Sequence, residues 1–205
     1  MAGHEPPEKE FETAAADQPS FAALAGLASL SQRFSVPLPV LSWNPPFCGE
    51  IDMKIARNGA WFYQGSLIER PALVRFFSRL LRKDGERYVL VTPVECAGIQ
   101  VEDVPFIASG LEVIEDASVQ TLKFRTNVGD EVILDAGHPL RFETGAADGI
   151  IPYLLVRDGL WARLTRALTI ELISHGSMQE SGGQLMFGIA SAGAFFAIAP
   201  AQDFE

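Results

Sequence analysis

Four carboxylates stand in the stretches of the chain most able to do chemistry: Asp52, Glu95, Glu102 and Asp103. They fall at strand ends or in turns, within Cys48-Gly-Glu-Ile-Asp-Met53, Thr92-Pro-Val-Glu95 and Val101-Glu-Asp-Val-Pro-Phe106. Such oxygens can hold a hard cation, receive a cationic group of a ligand, or cap turns and pair with Arg57 and Arg70. Their spacing matches no EF-hand loop, and no His-x-x-x-His or Cys-x-x-Cys pattern offers a zinc site. The sequence therefore predicts neither a metal nor a cofactor. Cys48 could be a nucleophile only with a lowered thiol pKa and a base beside it. Of the candidate bases, His138 sits in a Gly-His-Pro turn and His175 at a helix end, where the dipole favours a cation. Cys48 is read instead as buried and inert. Trp43, next to prolines, could line a groove with its indole N–H facing a ligand, or simply fill the core as Trp61 and Trp161 could. The eight residues Trp43, Cys48, Asp52, Trp61, Thr92, Glu95, Glu102 and Asp103 are expected to border one ligand-binding cleft.

These residues need a scaffold, and the chain repeats one. Residues 53–62 read Met-Lys-Ile-Ala-Arg-Asn-Gly-Ala-Trp-Phe, and residues 153–162 read Tyr-Leu-Leu-Val-Arg-Asp-Gly-Leu-Trp-Ala. Asn-Gly and Asp-Gly suit a two-residue type I′ turn, whose two central positions both need positive φ. Each segment is thus predicted to be a hairpin whose return strand opens on a tryptophan. After Pro71, the stripe Leu73, Phe76, Phe77, Leu80, Leu81 predicts an amphipathic helix that stops at Gly85. Arg75, Arg79, Arg82 and Lys83 fall opposite that stripe, as a solvated face or a patch for an acidic partner. In the second unit Leu164, Ala167, Leu168 and Leu172 predict a shorter helix, apolar all round and more deeply buried. Strands then resume, at Tyr88–Pro93 and Ile99–Glu102 in one copy and at Gln184–Ile189 and Ala194–Ile198 in the other. The glycine-rich 176–183 reads as a flexible loop, without the lysine or spacing of a phosphate-binding loop.

Between the copies lie four short strands, Leu111–Glu115, Val119–Arg125, Glu131–Leu134 and Leu140–Glu143, with an antiparallel alternating pattern. The fold class is therefore α+β, with two related halves, each an antiparallel sheet with one hairpin, one tryptophan and one helix. The expected divisions are an acidic disordered tail over 1–20, an N-terminal domain over 21–108 and a C-terminal domain over 109–205. The tail carries Glu5, Glu8, Glu10, Glu12 and Asp17 against Lys9, too polar to offset chain entropy. Phe21, Leu24, Leu27, Ala28, Ser31 and Phe34 then recur at helical spacing.

With 16 basic and 26 acidic residues the net charge is −10, which disfavours general nucleic-acid binding. Two cysteines in 205 residues make no disulfide scaffold and point to a reducing, cytoplasmic setting. No apolar run reaches the length of a membrane span, and the 21–34 helix lacks the basic residues of a membrane anchor.

Taken together, Cys48–Met53, Asn58–Trp61, Ile68–Val74, Tyr88–Glu95 and Val101–Phe106 resemble the bacterial domain-of-unknown-function family 1285, across roughly residues 25–200. The resemblance implies a duplicated core, a C-terminal half superficially like a pleckstrin-homology domain, a partial barrel, and a ligand site at the domain interface. It also implies a role in signal transduction. The expected function is a non-catalytic binding protein for a small molecule or peptide, in no contact with nucleic acid or membrane. The alternatives are a hydrolase using the carboxylates, with or without a metal, or Cys48, and an adaptor that dimerises through its N-terminal helix.

Overall fold

The computed structural model describes residues 38–116, 119–145 and 149–204. The expected acidic tail and the 21–34 helix lie outside the described residues. The N-terminal half runs β1 (Phe47–Ile55), β2 (Trp61–Tyr63), β3 (Ser66–Leu67), α1 (Pro71–Leu80), β4 (Leu81–Asp84), β5 (Arg87–Val91) and β6 (Cys96–Val101). Its six strands form one sheet in the order β3-β2-β1-β6-β5-β4. The C-terminal half begins with β7 (Phe106–Asp116), β8 (Val119–Thr126), β9 (Glu131–Ile133), β10 (Leu140–Thr144), β11 (Ile150–Arg157) and β12 (Leu160–Leu164), ordered β10-β11-β12-β7-β8-β9. Then come α2 (Arg166–Ser174) and a small third sheet of β13 (Gly176–Ser181), β14 (Gln184–Ser191) and β15 (Ala194–Pro200).

Among the described residues two sheet-rich halves, each with one helix, are thus present, but the two large sheets are not purely antiparallel. β1 pairs with β6 in parallel, and β12 pairs with β7 in parallel. Each parallel contact joins a hairpin strand to a strand far away in the chain. A hydrophobicity pattern carries no information about that choice. One core runs through both halves, from Met53, Ile55, Trp61 and Phe77 to Phe106, Leu122, Leu154 and Leu160.

The repeated order of hairpin, helix and three-stranded meander is present in both copies. α1 buries Phe76, Phe77 and Leu80, and Pro71 starts it where a missing N–H costs nothing. It ends at Leu80, five residues before the expected stop. Leu81 is already extended and pairs with Leu90, so Arg82 and Lys83 belong to β4 rather than to a helix face. Gly85 turns the chain from β4 into β5 instead. The expected loop at 176–183 is also corrected: Gly176–Ser181 is β13, paired residue by residue with β14 through the Gly182-Gly183 turn. Nor is α2 the more buried helix, since it leaves Ile170 63% and Ile173 36% exposed. Its N-terminus is capped by the Thr165 hydroxyl, which accepts from Leu168 N.

The two hairpins keep the same register 100 residues apart, with Ile55 opposite Trp61 and Leu155 opposite Trp161. Their turns differ. Asp158 and Gly159 have φ of 42° and 76°, and Arg157 pairs with Leu160 across them. Asn58 has no positive φ; instead Gly59 N donates to Ala56 O, and Gly59 alone is left-handed at 81°. The expected two-residue turn at Asn58-Gly59 is therefore a three-residue loop, type I followed by a left-handed glycine. The hairpins also present opposite faces to the core. Trp61 is 1% exposed and stacks on Phe77 at 6.3 Å. Trp161 points outward and is covered by the Arg141 guanidinium at 4.8 Å. The connection to the helix accompanies this difference. β3 reverses the chain before α1, whereas α2 starts one residue after Thr165, itself directly following β12.

Ser191, at the end of β14, fastens the small sheet to the large one. Its buried hydroxyl accepts from Leu122 N at 2.9 Å and donates to Leu134 O at 2.7 Å. Ser191→Ala leaves that N–H without its partner, and the expected loss is about 1–3 kcal/mol. The check is a lower urea midpoint at unchanged slope.

Candidate functional site

The halves meet along two seams. At the first, the β8–β9 turn is closed internally by Gly129 N to Thr126 O and by Asp130 N to the Thr126 hydroxyl, each at 3.0 Å. Asn127 in this turn reaches across to the other half, donating to Gly59 O at 3.3 Å while accepting from Ile107 N at 3.0 Å. Gly59 is the left-handed residue of the β1–β2 loop, and a Cβ there would collide with the Asn127 side chain at 2.7 Å. Arg157 completes the seam. It pairs with Asp130 at 2.7 Å, donates to Ser78 O at 2.6 Å, and lies over the Phe106 ring at 5.0 Å.

Beside this seam a groove opens between α1 and the β8–β9 turn, with a cavity volume of about 270 Å³. Arg75 and Arg79 from α1 and Val128, Gly129 and Asp130 from the turn line it, over a floor that includes Phe76. Of the described residues in that lining, Asp130 is the one acid, and it is committed to Arg157. Among the described residues Arg75 has no carboxylate within ion-pair distance. The groove thus offers, among the described residues, a guanidinium without an acid of its own, on a protein whose overall charge is −10.

At the second seam Asp103 accepts from the Tyr153 hydroxyl at 3.2 Å and lies 3.7 Å from Arg163. Burial pushes the Tyr153 phenol up, and the Asp103 charge adds to the effect. Tyr88 of β5 is pushed up by burial as well, with Arg141 opposing and Asp103 reinforcing. Arg141 lies over both Tyr153 and Trp161. These side chains are occupied with one another and close the interface rather than open it.

The eight residues expected to form a cleft do not share one. Trp61 is in the core, and its indole N–H has no hydrogen-bond partner among the described residues. Trp43 packs on Val89, Val91 and Cys96, while its carbonyl and that of Val40 accept from Arg82. Cys48 is exposed rather than buried, with its thiol 3.4 Å from Pro46 O. It is the second residue of β1, at the exposed start of that strand. Burial raises the other thiol, Cys96. Thr92 and Glu95 come together in one turn, where the Thr92 hydroxyl accepts from Val94 N and Glu95 N. Glu102 lies at the other end of β6, about 20 Å away for six residues. It accepts from Arg57 N at 2.9 Å and from Lys54 at 3.0 Å, and these bonds hold its carboxyl below the usual range. Asp52 is exposed in the middle of β1. Of the eight, Asp103 makes a hydrogen bond into the second half, to Tyr153. Among the described residues no three of His, Cys, Asp and Glu are placed to hold a metal ion.

Sequence reasoning did not single out Asp130 or Arg157. The available signal was the Asn127-Val-Gly-Asp130 turn, but its partner lies 27 residues away.

Two family models match nearly end to end: the DUF1285 N-terminal domain, of unknown function, over residues 38–104 and the DUF1285 C-terminal domain, of unknown function, over residues 105–198. The groove and both seams lie between these two matched segments. No curated protein matches the chain. A crystal structure of a DUF1285 family protein from Silicibacter pomeroyi DSS-3 is similar at 41% identity, TM-score 0.77, over 86% of this chain and 97% of that one. Another, from Shewanella baltica OS155, has 25% identity and a TM-score of 0.49 over 60% of this chain and 91% of that one. With both domain models matched in order over the described sheets, the chain belongs to the DUF1285 family.

Proposed function

We propose that this protein is a non-catalytic binding protein that holds a small anionic ligand in the groove between α1 and the β8–β9 turn. One observation carries the reading: Arg75 lines a groove whose single carboxylate among the described residues, Asp130, is already paired with Arg157. Pockets favour domain interfaces, and a cavity of about 270 Å³ lies just below the usual range of about 300–1,000 Å³ for ligand pockets. The ligand is therefore of metabolite size rather than a peptide. The C-terminal half, with six strands followed by a helix, supports the finer description as pleckstrin-homology-like. A role in signal transduction fits a ligand gripped by both halves, because occupancy alters the seam that joins them.

The test is a thermal-shift panel on the full chain, comparing inorganic phosphate, citrate, sugar phosphates and dicarboxylates with neutral analogues. A true ligand at about 100 times its Kd stabilises by about 2.7 kcal/mol, or about 5–10 °C for a chain of this size. Arg75→Ala removes a charge-assisted contact and is expected to weaken that ligand about tenfold or more. A hit that binds Arg75→Ala as tightly as the natural chain would refute the site. Asp52→Asn and Glu102→Gln, which touch no part of the groove, are expected to leave the shift unchanged.

A further inference from the structure

We infer that two copies of this chain pair edge to edge through β13, antiparallel about a twofold axis at Met178, so that their small third sheets join into one. Among the described residues the three sheets end in the edge strands β3, β4, β9, β10, β13 and β15. An unpaired edge is a template for another strand, and proteins blunt it with shortness, charge, proline or a bulge. All of these edges but β13 are blunted. β3 has two residues and β9 three. β4 carries Arg82, Lys83 and Asp84 and is tied to the 40–43 segment, where Arg82 donates to the carbonyls of Val40 and Trp43. β10 carries the Arg141–Glu143 ion pair. β15 is bulged where the Phe187 and Gly188 pairings break step, and it ends at Pro200. β13 has none of these devices. It runs along β14 without a register shift, holds one charge, Glu180, and is exposed from Ser177 to Ser181.

The strand is also complementary to itself. Gly182 and Gly183, with φ of 62° and 80°, close the β13–β14 hairpin as a two-residue turn, whose flanking pair Ser181 and Gln184 exchanges both backbone bonds. Alternation from there commits Gln179 and Ser177 to β14 and turns the N–H and C=O of Glu180, Met178 and Gly176 outward. With the axis at Met178, the two Met178 residues face each other and each Gly176 faces the partner's Glu180. On one face the Met178–Phe187 row continues into the same row of the partner and covers Met178, which is 45% exposed in the single chain. On the other face Gln179, which donates to the Ser177 hydroxyl at 3.4 Å, comes opposite the partner's Ser177. The two Glu180 carboxylates stand about 14 Å apart, at about 3.4 Å per residue, beyond the screening length of about 8 Å. Because β15 is blunted, pairing closes at two copies. The paired edge is small beside a standard interface, so the dimer is weak, with a dissociation constant on the order of 100 μM. Each copy carries a charge of −10, so salt strengthens the dimer by screening repulsion.

Sedimentation of the full chain tests the pairing. The mass is expected to stay near 22.3 kDa at about 10 μM, to approach twice that at about 1 mM, and to rise further at about 0.5 M salt. Met178→Lys and Met178→Glu each set like charges face to face, with about 5.5 Å between Cα atoms, and each is expected to weaken association at least tenfold. An equimolar mixture of the two variants is expected to recover the dimer, because opposite charges then meet at the axis. A merely damaged surface gives no such recovery. Amide exchange at Met178 and Glu180 is expected to slow as concentration rises, while Ser177 and Gln179 stay protected throughout. A monomer at every concentration, a dimer indifferent to Met178→Lys, or a mixture that stays monomeric would overturn the pairing. Met178 and Glu180 amides already protected in the monomer would place another segment of the chain on this edge, which also overturns it.

Discussion

Trp61→Ala is expected to cost about 3–5 kcal/mol, and Trp161→Ala only about 1 kcal/mol, although the two tryptophans occupy equivalent places in the repeat. Trp61 is fully buried against Phe77, so truncation opens a cavity in the core that both halves share. Trp161 lies outward, and its loss removes one ring from beneath Arg141, which keeps Tyr153 and its pair with Glu143. Trp61→Phe separates packing from hydrogen bonding. The indole N–H has no partner among the described residues, so its removal is expected to cost well under the alanine value. Urea unfolding at matched slopes reads all three. Equal losses at the two tryptophans would mean that the copies turn the same face inward.

The second large effect is at Arg157. Its guanidinium ties Asp130 of the β8–β9 turn to the carbonyl of buried Ser78 on α1, while lying flat over Phe106. Arg157→Ala leaves Ser78 O without that donor and frees Asp130 to face the groove. The expected loss is about 2–3 kcal/mol, from bonds to charged groups at a partly exposed site. In a chain of this length that lowers Tm by about 5–10 °C. Arg157→Lys is expected to recover little, because an ammonium cannot reach Asp130 and Ser78 O together in a planar fork. The same substitution places an unpaired carboxylate in the lining, so anion binding is expected to fall further than stability alone explains. Stability near that of the natural chain would show that the seam does not depend on this residue.

Much of the scaffold was legible. The apolar stripe of α1, the Asp-Gly turn before Trp161 and the order of elements in both copies follow from local periodicity and turn chemistry. What failed was non-local. Asn58-Gly59 and Asp158-Gly159 read alike, yet the first bends as three residues because Asn58 stays at negative φ and its side chain accepts from Ala60 N. The faces of the hairpins differ together with the connection to the helix, and the two-residue β3 that marks it carries almost no pattern. The carboxylates drew attention as a group, but Glu95 and Glu102 bracket one strand and Glu102 and Asp103 turn to different partners. The groove's Arg75 was visible as part of a basic face. Its meaning depended on Asp130 and Arg157, which only the tertiary fold brings to it.

The most direct measurement is to map the first anionic hit from the thermal-shift panel by amide chemical-shift perturbation on the full chain. Perturbations centred on residues 72–79 and 126–130 are the expected result. Perturbations centred on 48–52 and 92–103, with the groove silent, would contradict the account.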